Sequence, residues 1–356
     1  MRQKALESLN LQLKKPENAA IACGFLCNVI PPLLVNLHDP DSTVRIDATR
    51  ALNTLATTAT GKLKLISEDA LPRLLDLVTD PDSDVRRQAC IAMISVSSSP
   101  VGANGAVDAK VIQVYNKHIL QEIPEHQVLM LLALHGAVKT PAGFTVALED
   151  GLQSTLKIML QKSVHGEVLN SACDVLLALA TLKAGKEQAI GIDLVAVLTR
   201  LVEAEVSRLE ESSDRNSVSV STAAPTLINA SVAEGEDDSI PGITKIEGLE
   251  ESDLVSPLAN ACACLAHLFV EISGKKSGKK EESAAALLRA LQFTADPLVL
   301  MHGLKALTLV LEEADVRLAT RRMGAADILW ELQTKLDNEV LKKYAAAARN
   351  VVYWDP

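Results

Sequence analysis

The sequence predicts an all-α, right-handed solenoid of about seven to eight helical repeats. Three observations carry that prediction. The segment from Leu37 to Leu52 returns from Val78 to Met93, with Asp39, Pro40, Val44, Arg45, Ala48 and Ala51 each matched 41 residues later. Apolar residues recur at helical spacing, as in Leu33-Leu34-Leu37 and Leu74-Leu75-Val78. The composition is 48% hydrophobic but only 3% aromatic, so the core must be built from small and aliphatic side chains.

Each part of the repeat has a physical role. The leucine stripe belongs to one helix, which Asp-Pro-Asp-Ser ends because proline cannot continue it. The same segment supplies Asp41/Ser42 or Asp82/Ser83 as caps for the next helix. Ala48, Ala51, Ala89 and Ala92 let that helix approach its neighbours closely. Gly61 and Gly185, each followed by lysine, fit turns that launch the next unit. A period in this range is that of armadillo and HEAT repeats. The core rows recur at Ala172, Leu176, Leu179 and Ala180, at Ala261, Leu265 and Leu268, at Gly303 and Leu307, and at Ala345 to Ala348. A copy near Val128 to Leu134 is degenerate. The expected units are 1–27 (truncated), 28–68, 69–110, 111–151, 152–192, 193–280 (split), 281–323 and 324–356, joined as a single solenoid over 1–356.

The C-terminal unit carries Trp330, Tyr344, Tyr353 and Trp354, four of nine aromatic residues. These rings fit either a seal over the open end of the core or a docking patch for a partner. The segment 203–256 breaks the pattern. Between Glu203 and Asp253 it holds thirteen acidic and three basic residues, an acidic excess equal to the whole formal charge of −10. Low apolar density with high charge predicts a disordered insertion, either passive or an acidic tether tuned by phosphorylation at Ser212-Ser213 or Ser217 to Ser221. The basic run from Gly274 to Glu282, with Lys275, Lys276, Lys279 and Lys280, reads as a turn between helices and a candidate contact with an acidic surface such as tubulin. Its spacing fails the GxxxxGK[ST] pattern.

Other chemistries are disfavoured. The net acidity and the shortage of rings argue against nucleic acid. The most apolar stretches, Val128 to Val138 and Leu298 to Leu311, fall short of a membrane span. No GxSxG, HExxH or dinucleotide fingerprint is present, so neither catalysis nor a small-molecule substrate or cofactor is expected. Cys262, Cys264 and His267 form the best metal candidate, but CxC lacks the turn spacing of structural zinc sites. The six cysteines lie in apolar helical patterns, and the N-terminus lacks a signal core, which implies free thiols in a reducing cytoplasm.

The Trp-x-x-x-Asn ladder of armadillo proteins that grip basic peptides is missing. The Asn positions hold Thr54, Ser95, Ala178, His267 and Leu309, and the Trp positions hold Arg50, Ile91, Asp174, Ala263 and Lys305. A different resemblance lies at the two ends. Arg2 to Leu6, Pro16-Glu17, Cys23-Gly24, Leu33-Leu34, Asp39-x-Asp41-x-x-Val44-Arg45, Leu55 to Thr57, Gly61-Lys62 and Leu65 to Asp69, with the ending Arg349 to Pro356, are similar to the radial spoke head 14 homologue family. That family comprises armadillo-type proteins of ciliary radial spokes. Relative to it, the first repeat lacks its leading helix and the acidic insertion is additional.

The resemblance implies a non-catalytic structural subunit of the cytoskeleton, in the axoneme of a cilium or flagellum, contacting other radial spoke or axonemal proteins. The alternative is a soluble cytosolic adaptor that binds peptide segments of signalling or transport partners. Candidate partner contacts are Arg45, Arg50, Arg86 and Arg87 on the capped helices, the four lysines of the basic run, and Tyr353 and Trp354. For Arg45 and Arg86 the competing reading is an internal salt bridge to an aspartate of the neighbouring repeat.

Overall fold

Successive helices here come in threes, because three kinds of link recur in a fixed order along the chain. The computed structural model describes residues 2–23, 27–219 and 256–354, and among them there is no strand. The chain divides into two units, Met1–Leu179 and Ala180–Pro356.

The first unit opens with α1 (Arg2–Leu13). Four triplets follow: α2 (Pro16–Ala22), α3 (Ile30–Asn36) and α4 (Ser42–Ala56); α5 (Ala59–Ser67), α6 (Ala70–Asp76) and α7 (Ser83–Ser97); α8 (Pro100–Asp108), α9 (Val111–His118) and α10 (Pro124–Val138); α11 (Pro141–Glu149), α12 (Leu152–Lys162) and α13 (Gly166–Leu179). The third helices stack in series, α1 on α4, α4 on α7, α7 on α10 and α10 on α13, while the short first helices α2, α5, α8 and α11 form a second row. Ala48, Ala51, Ala92, Ala133 and Ala172 are completely buried where these third helices meet, which is what small side chains permit.

The second unit repeats the plan with α14 (Lys183–Gly191), α15 (Leu194–Ser219) and α16 (Pro257–Leu268); α17 (Ile272–Lys280), α18 (Ser283–Phe293) and α19 (Pro297–Val310); α20 (Ala314–Arg322), α21 (Ala325–Lys335) and α22 (Glu339–Tyr353). Here α16, α19 and α22 stack in series, as do α15, α18 and α21.

The link into a third helix is a side-chain cap at α4, α7, α16, α19 and α22, but not at α10, whose N-cap is Ile123. Asp41 accepts from the Thr43 amide, Asp82 from those of Asp84 and Val85, Asp296 from Leu298 and Asn338 from Val340. The link from a third helix to the next triplet is a hydroxyl cap plus a glycine at α5, α8 and α11, whereas the N-caps of α14, α17 and α20, Leu182, Glu271 and Glu313, make no side-chain cap bond. Thr58, Ser99 and Thr140 accept from the amides of Gly61, Gly102 and Gly143. A Cβ on those glycines would stand 1.9, 1.9 and 2.1 Å from the carbonyl oxygens of Leu55, Val96 and Ala137. Gly61 and Gly185 therefore lie inside helices, as the third residues of α5 and α14, and not in the turns expected of them. The requirement at Gly61 is close approach to the preceding helix end.

The third link, from first to second helix, passes through a left-handed residue. Asp69, Lys110, Gly151, Asp193, Glu282 and Gly324 all have positive φ, from 50° to 76°. Two of the six are glycines, and the others hold a conformation that costs an L-residue about 1 kcal/mol.

Two further expectations are corrected. The pattern break at Glu203 does not end the helix: α15 continues to Ser219, with Val206 buried and Glu210 accepting from Arg289 at 2.7 Å. Residues 220–255, which hold the rest of the acidic segment, lie outside the described residues, and so does Ser221 at the end of the phosphorylation candidate. The segment enters between the second and third helices of a triplet. The basic run is also not a turn but the helix α17, because the turn ends at its N-cap, Glu271. Among the cysteines, Cys27 departs from its expected helical setting and is exposed; the other five are buried.

Gly61→Ala is expected to lower stability by about 3 kcal/mol, because the methyl group meets a backbone carbonyl that cannot move aside. Chemical denaturation measures it. Lys110→Gly, at an exposed left-handed position whose side chain makes no cap bond, should instead raise stability by about 0.5–1 kcal/mol.

Candidate interaction surfaces

The recurring arginines sit one turn into the third helices, with their side chains turned back along the chain and across to the next repeat. Arg45 donates to both carboxylate oxygens of Asp80 at 2.8 Å, and to the carbonyls of Asp39 (2.9 Å) and Pro40 (3.3 Å). Its side chain and that of Asp80 are only 11% and 7% exposed. Arg86 repeats the arrangement, donating to Glu122 (2.7 Å) and to the carbonyls of Asp80 (2.9 Å) and Pro81 (3.4 Å). Glu122 is also 3.0 Å from Nδ1 of the buried His126. Burial pushes the Glu122 carboxyl up, but hydrogen bonds from Arg86 and His126 outweigh it and hold the group below its ordinary value.

Both arginines are thus clamps between repeats, and their guanidinium groups are occupied. A third clamp escapes the sequence reading. Arg317 donates to the carbonyls of Leu311 (2.9 Å) and Glu312 (2.7 Å), the same backward reach, and stacks on the Trp354 ring at 4.8 Å. Its signal is the pair Val316-Arg317, which matches Val44-Arg45 and Val85-Arg86 but falls on a first helix.

Arg50 is a surface residue paired with Asp47 of its own helix at 3.1 Å. Arg87 is half-buried on α7. On α17, Lys275 pairs with Glu312 and Lys279 with Asp315, so half of the basic run ties its helix to the following triplet. Lys280 reaches its neighbour Glu281 at 3.3 Å, and Lys276 is exposed. The C-terminal rings do not seal a core. Trp330, Tyr353 and Trp354 are each more than half exposed, Arg349 lies 4.5 Å over Trp330 and Lys305 lies 5.1 Å over Tyr344. Arg321 donates to the carbonyls of Val352 and Trp354, which fixes the last residues of α22 against α20.

An open cavity of about 480 Å³ lies in the first unit, where the ends of α7 and α10 meet the first turns of α8 and α11. Gly136 brings the two third helices together there, since a Cβ on it would stand 2.7 Å from the Ser97 carbonyl oxygen. Ile94, Leu132 and two prolines form the apolar wall; Ser97, Asn104, His135 and Lys139 supply polar groups. Burial, reinforced by Lys139, pushes the His135 pKa down to about 4. No group of three His, Cys, Asp or Glu side chains among the described residues could hold a metal ion, and no described helix is long and apolar enough to cross a membrane.

The family of HEAT repeats matches residues 2–95 of this chain. No curated protein matches. Among solved structures, a crystal structure of an engineered protein is similar at a TM-score of 0.60 and 18% identity, covering 80% of this chain and 98% of that one. A second engineered protein gives 0.57 and 20% identity, covering 98% of this chain and 84% of the other. A designed armadillo repeat protein gives 0.45 and 15% identity, over 91% and 99% of the two chains. The fold is an all-helical repeat solenoid of the armadillo and HEAT type.

Arg45→Ala is expected to lower stability by about 3 kcal/mol, because it leaves the Asp80 carboxylate buried without its partner. A double-mutant cycle with Asp80→Ala should recover a coupling of at least about 1.5 kcal/mol. His135 gives a pH signature. Its folded pKa of about 4 lies below the ordinary 6.5, so the unfolded chain binds an additional proton between those values and stability falls as pH drops through that window. Relative to His135→Gln, the wild-type chain should lose up to about 1.4 kcal/mol more per pH unit there, measured by denaturation at stepped pH.

Proposed function

We propose that this protein is a non-catalytic structural scaffold that holds partner proteins through rows of side chains presented at the repeat spacing, and that it does so in the axoneme of a cilium or flagellum. The observation that supports the scaffold reading is the clamp series. Arg45 joins one repeat to the next through Asp80, and Arg86 continues the series through Glu122. Clamps of this kind restrict sliding between triplets, so a partner meets side chains at fixed separations.

The axonemal placement, with other radial spoke proteins as neighbours, is supported by the similarity of the N-terminal 90 or so residues and the closing helix to the radial spoke head 14 homologue family. The rival reading is a soluble cytosolic adaptor for peptide segments. Detergent extraction of ciliated cells separates the two. An axonemal scaffold is expected to stay with the stripped axonemes and to leave in high salt, and its loss should remove or weaken spokes. Complete release by detergent alone would overturn the axonemal reading and favour the adaptor.

A further inference from the structure

Arg45, Arg86, Lys275 and Lys279 face carboxylates of the adjoining repeat. The cations at the cavity in the first unit do not. Lys139 is exposed at its mouth, and Lys62 donates from α5 to the hydroxyl of Ser98, which lines it, at 2.8 Å. No lining residue is acidic. One ammonium group, that of Lys139, therefore stands at an open cavity whose lining offers no counter-charge, and a second, that of Lys62, is held by a hydroxyl on its rim.

The remaining polar groups are of matching chemistry. Ser97 lines the cavity, is 4% exposed, and its buried hydroxyl has no hydrogen-bond partner, which is costly unless a ligand completes it. The first turns of α8 and α11 line the same space and carry partial positive charge. The His135 ring is uncharged at neutral pH, so it enters as a hydrogen-bonding group and not as a third cation. The Lys139 ammonium, the Asn104 amide and the partial charge of the two helix starts favour a dianionic phosphoryl group over a singly charged carboxylate. The apolar wall of Ile94, Leu132, Pro100 and Pro141 gives a chain bearing that group something to pack on.

We propose that this cavity binds the phosphoryl group of a phosphorylated serine or threonine on a partner protein. The proposal deepens the scaffold reading, on which it rests, by making one contact conditional on modification of the partner.

The test uses the full chain, immobilised and exposed to three peptide libraries that differ only at a fixed central residue: phosphoserine, serine or glutamate. The phosphoserine library should be retained about tenfold more strongly than either of the others, the range expected for charge-assisted hydrogen bonds to a dianion. Lys139→Gln should reduce the preference to within about twofold, Lys139→Arg should keep it, and Ser97→Ala should weaken it about threefold. Lys139 is at the surface, so an unchanged thermal melt is the control that its variants fold. Equal retention of the glutamate or serine library, or a preference that survives Lys139→Gln, would overturn the phosphoryl site. Axonemal retention of the wild-type chain is read separately, so failure of the pocket and failure of the axonemal placement give different results.

Discussion

Everything in this molecule depends on how closely one third helix can lie against the next. A triplet with a leucine stripe on its first two helices has no interior of its own, and buries that stripe only when another triplet lies against it. Alanines at the contacts set the separation: Ala48 and Ala51 on α4, Ala89 and Ala92 on α7, and Ala345 and Ala348 on α22 are all buried. The glycine beside the junctions at α5, α8, α11 and α17 is part of the same constraint. At Gly61 and Gly102 a Cβ would stand 1.9 Å from a carbonyl oxygen at the end of the helix before, so the chain can reverse there only with hydrogen in that place.

Close stacking fixes distance but not register, and the clamps supply register. A guanidinium that holds two carbonyls of its own turn and a carboxylate of the next repeat has one geometry in which all its donors are used. Slippage by a helical turn would leave Asp80 or Glu122 buried beside no cation, an expensive state. The same logic recurs at the C-terminus with different partners. Arg317 keeps the two carbonyls, and the Trp354 ring stands where the earlier clamps have a carboxylate. The terminal aromatics thus belong to the clamp system more than to the core, which explains why they are exposed and yet ordered against cations.

The fold was legible in the sequence because its determinants are short and periodic. Asp-Pro-Asp-Ser, the alanine rows and the leucine stripes each act within a few residues, so the 41-residue recurrence carries nearly all of the architecture. What the sequence hid was partner identity across repeats. Arg45 looks equally like a contact residue or a clamp until Asp80 is seen 2.8 Å away. The basic run looks like a loop because Gly274 and Gly278 are helix breakers by propensity; in the fold, Gly278 is where the Phe269 ring presses in, 2.6 Å from the position of a Cβ. Packing overrides propensity there, and composition alone gives no warning of it. The left-handed links were equally hidden, since Lys110 and Glu282 are ordinary residues held at positive φ by the helices on either side.

Charge balance is where the two levels of description meet. A formally neutral set of repeats, counted outside the acidic segment, says nothing about which charges are satisfied. The structure sorts them: Arg45, Arg86, Lys275 and Lys279 meet carboxylates of the adjoining repeat, while Lys62 meets the Ser98 hydroxyl and Lys139 stands exposed at a cavity with no acidic lining residue. Against the satisfied clamps of Arg45 and Arg86, a lysine at the mouth of a cavity with no acidic lining residue, where the buried Ser97 hydroxyl has no hydrogen-bond partner, is a departure. Departures of that kind persist when something outside the chain completes them. The cavity lining has no carboxylate to meet Lys139, so a phosphoryl group would supply there what Asp80 and Glu122 supply at the clamps.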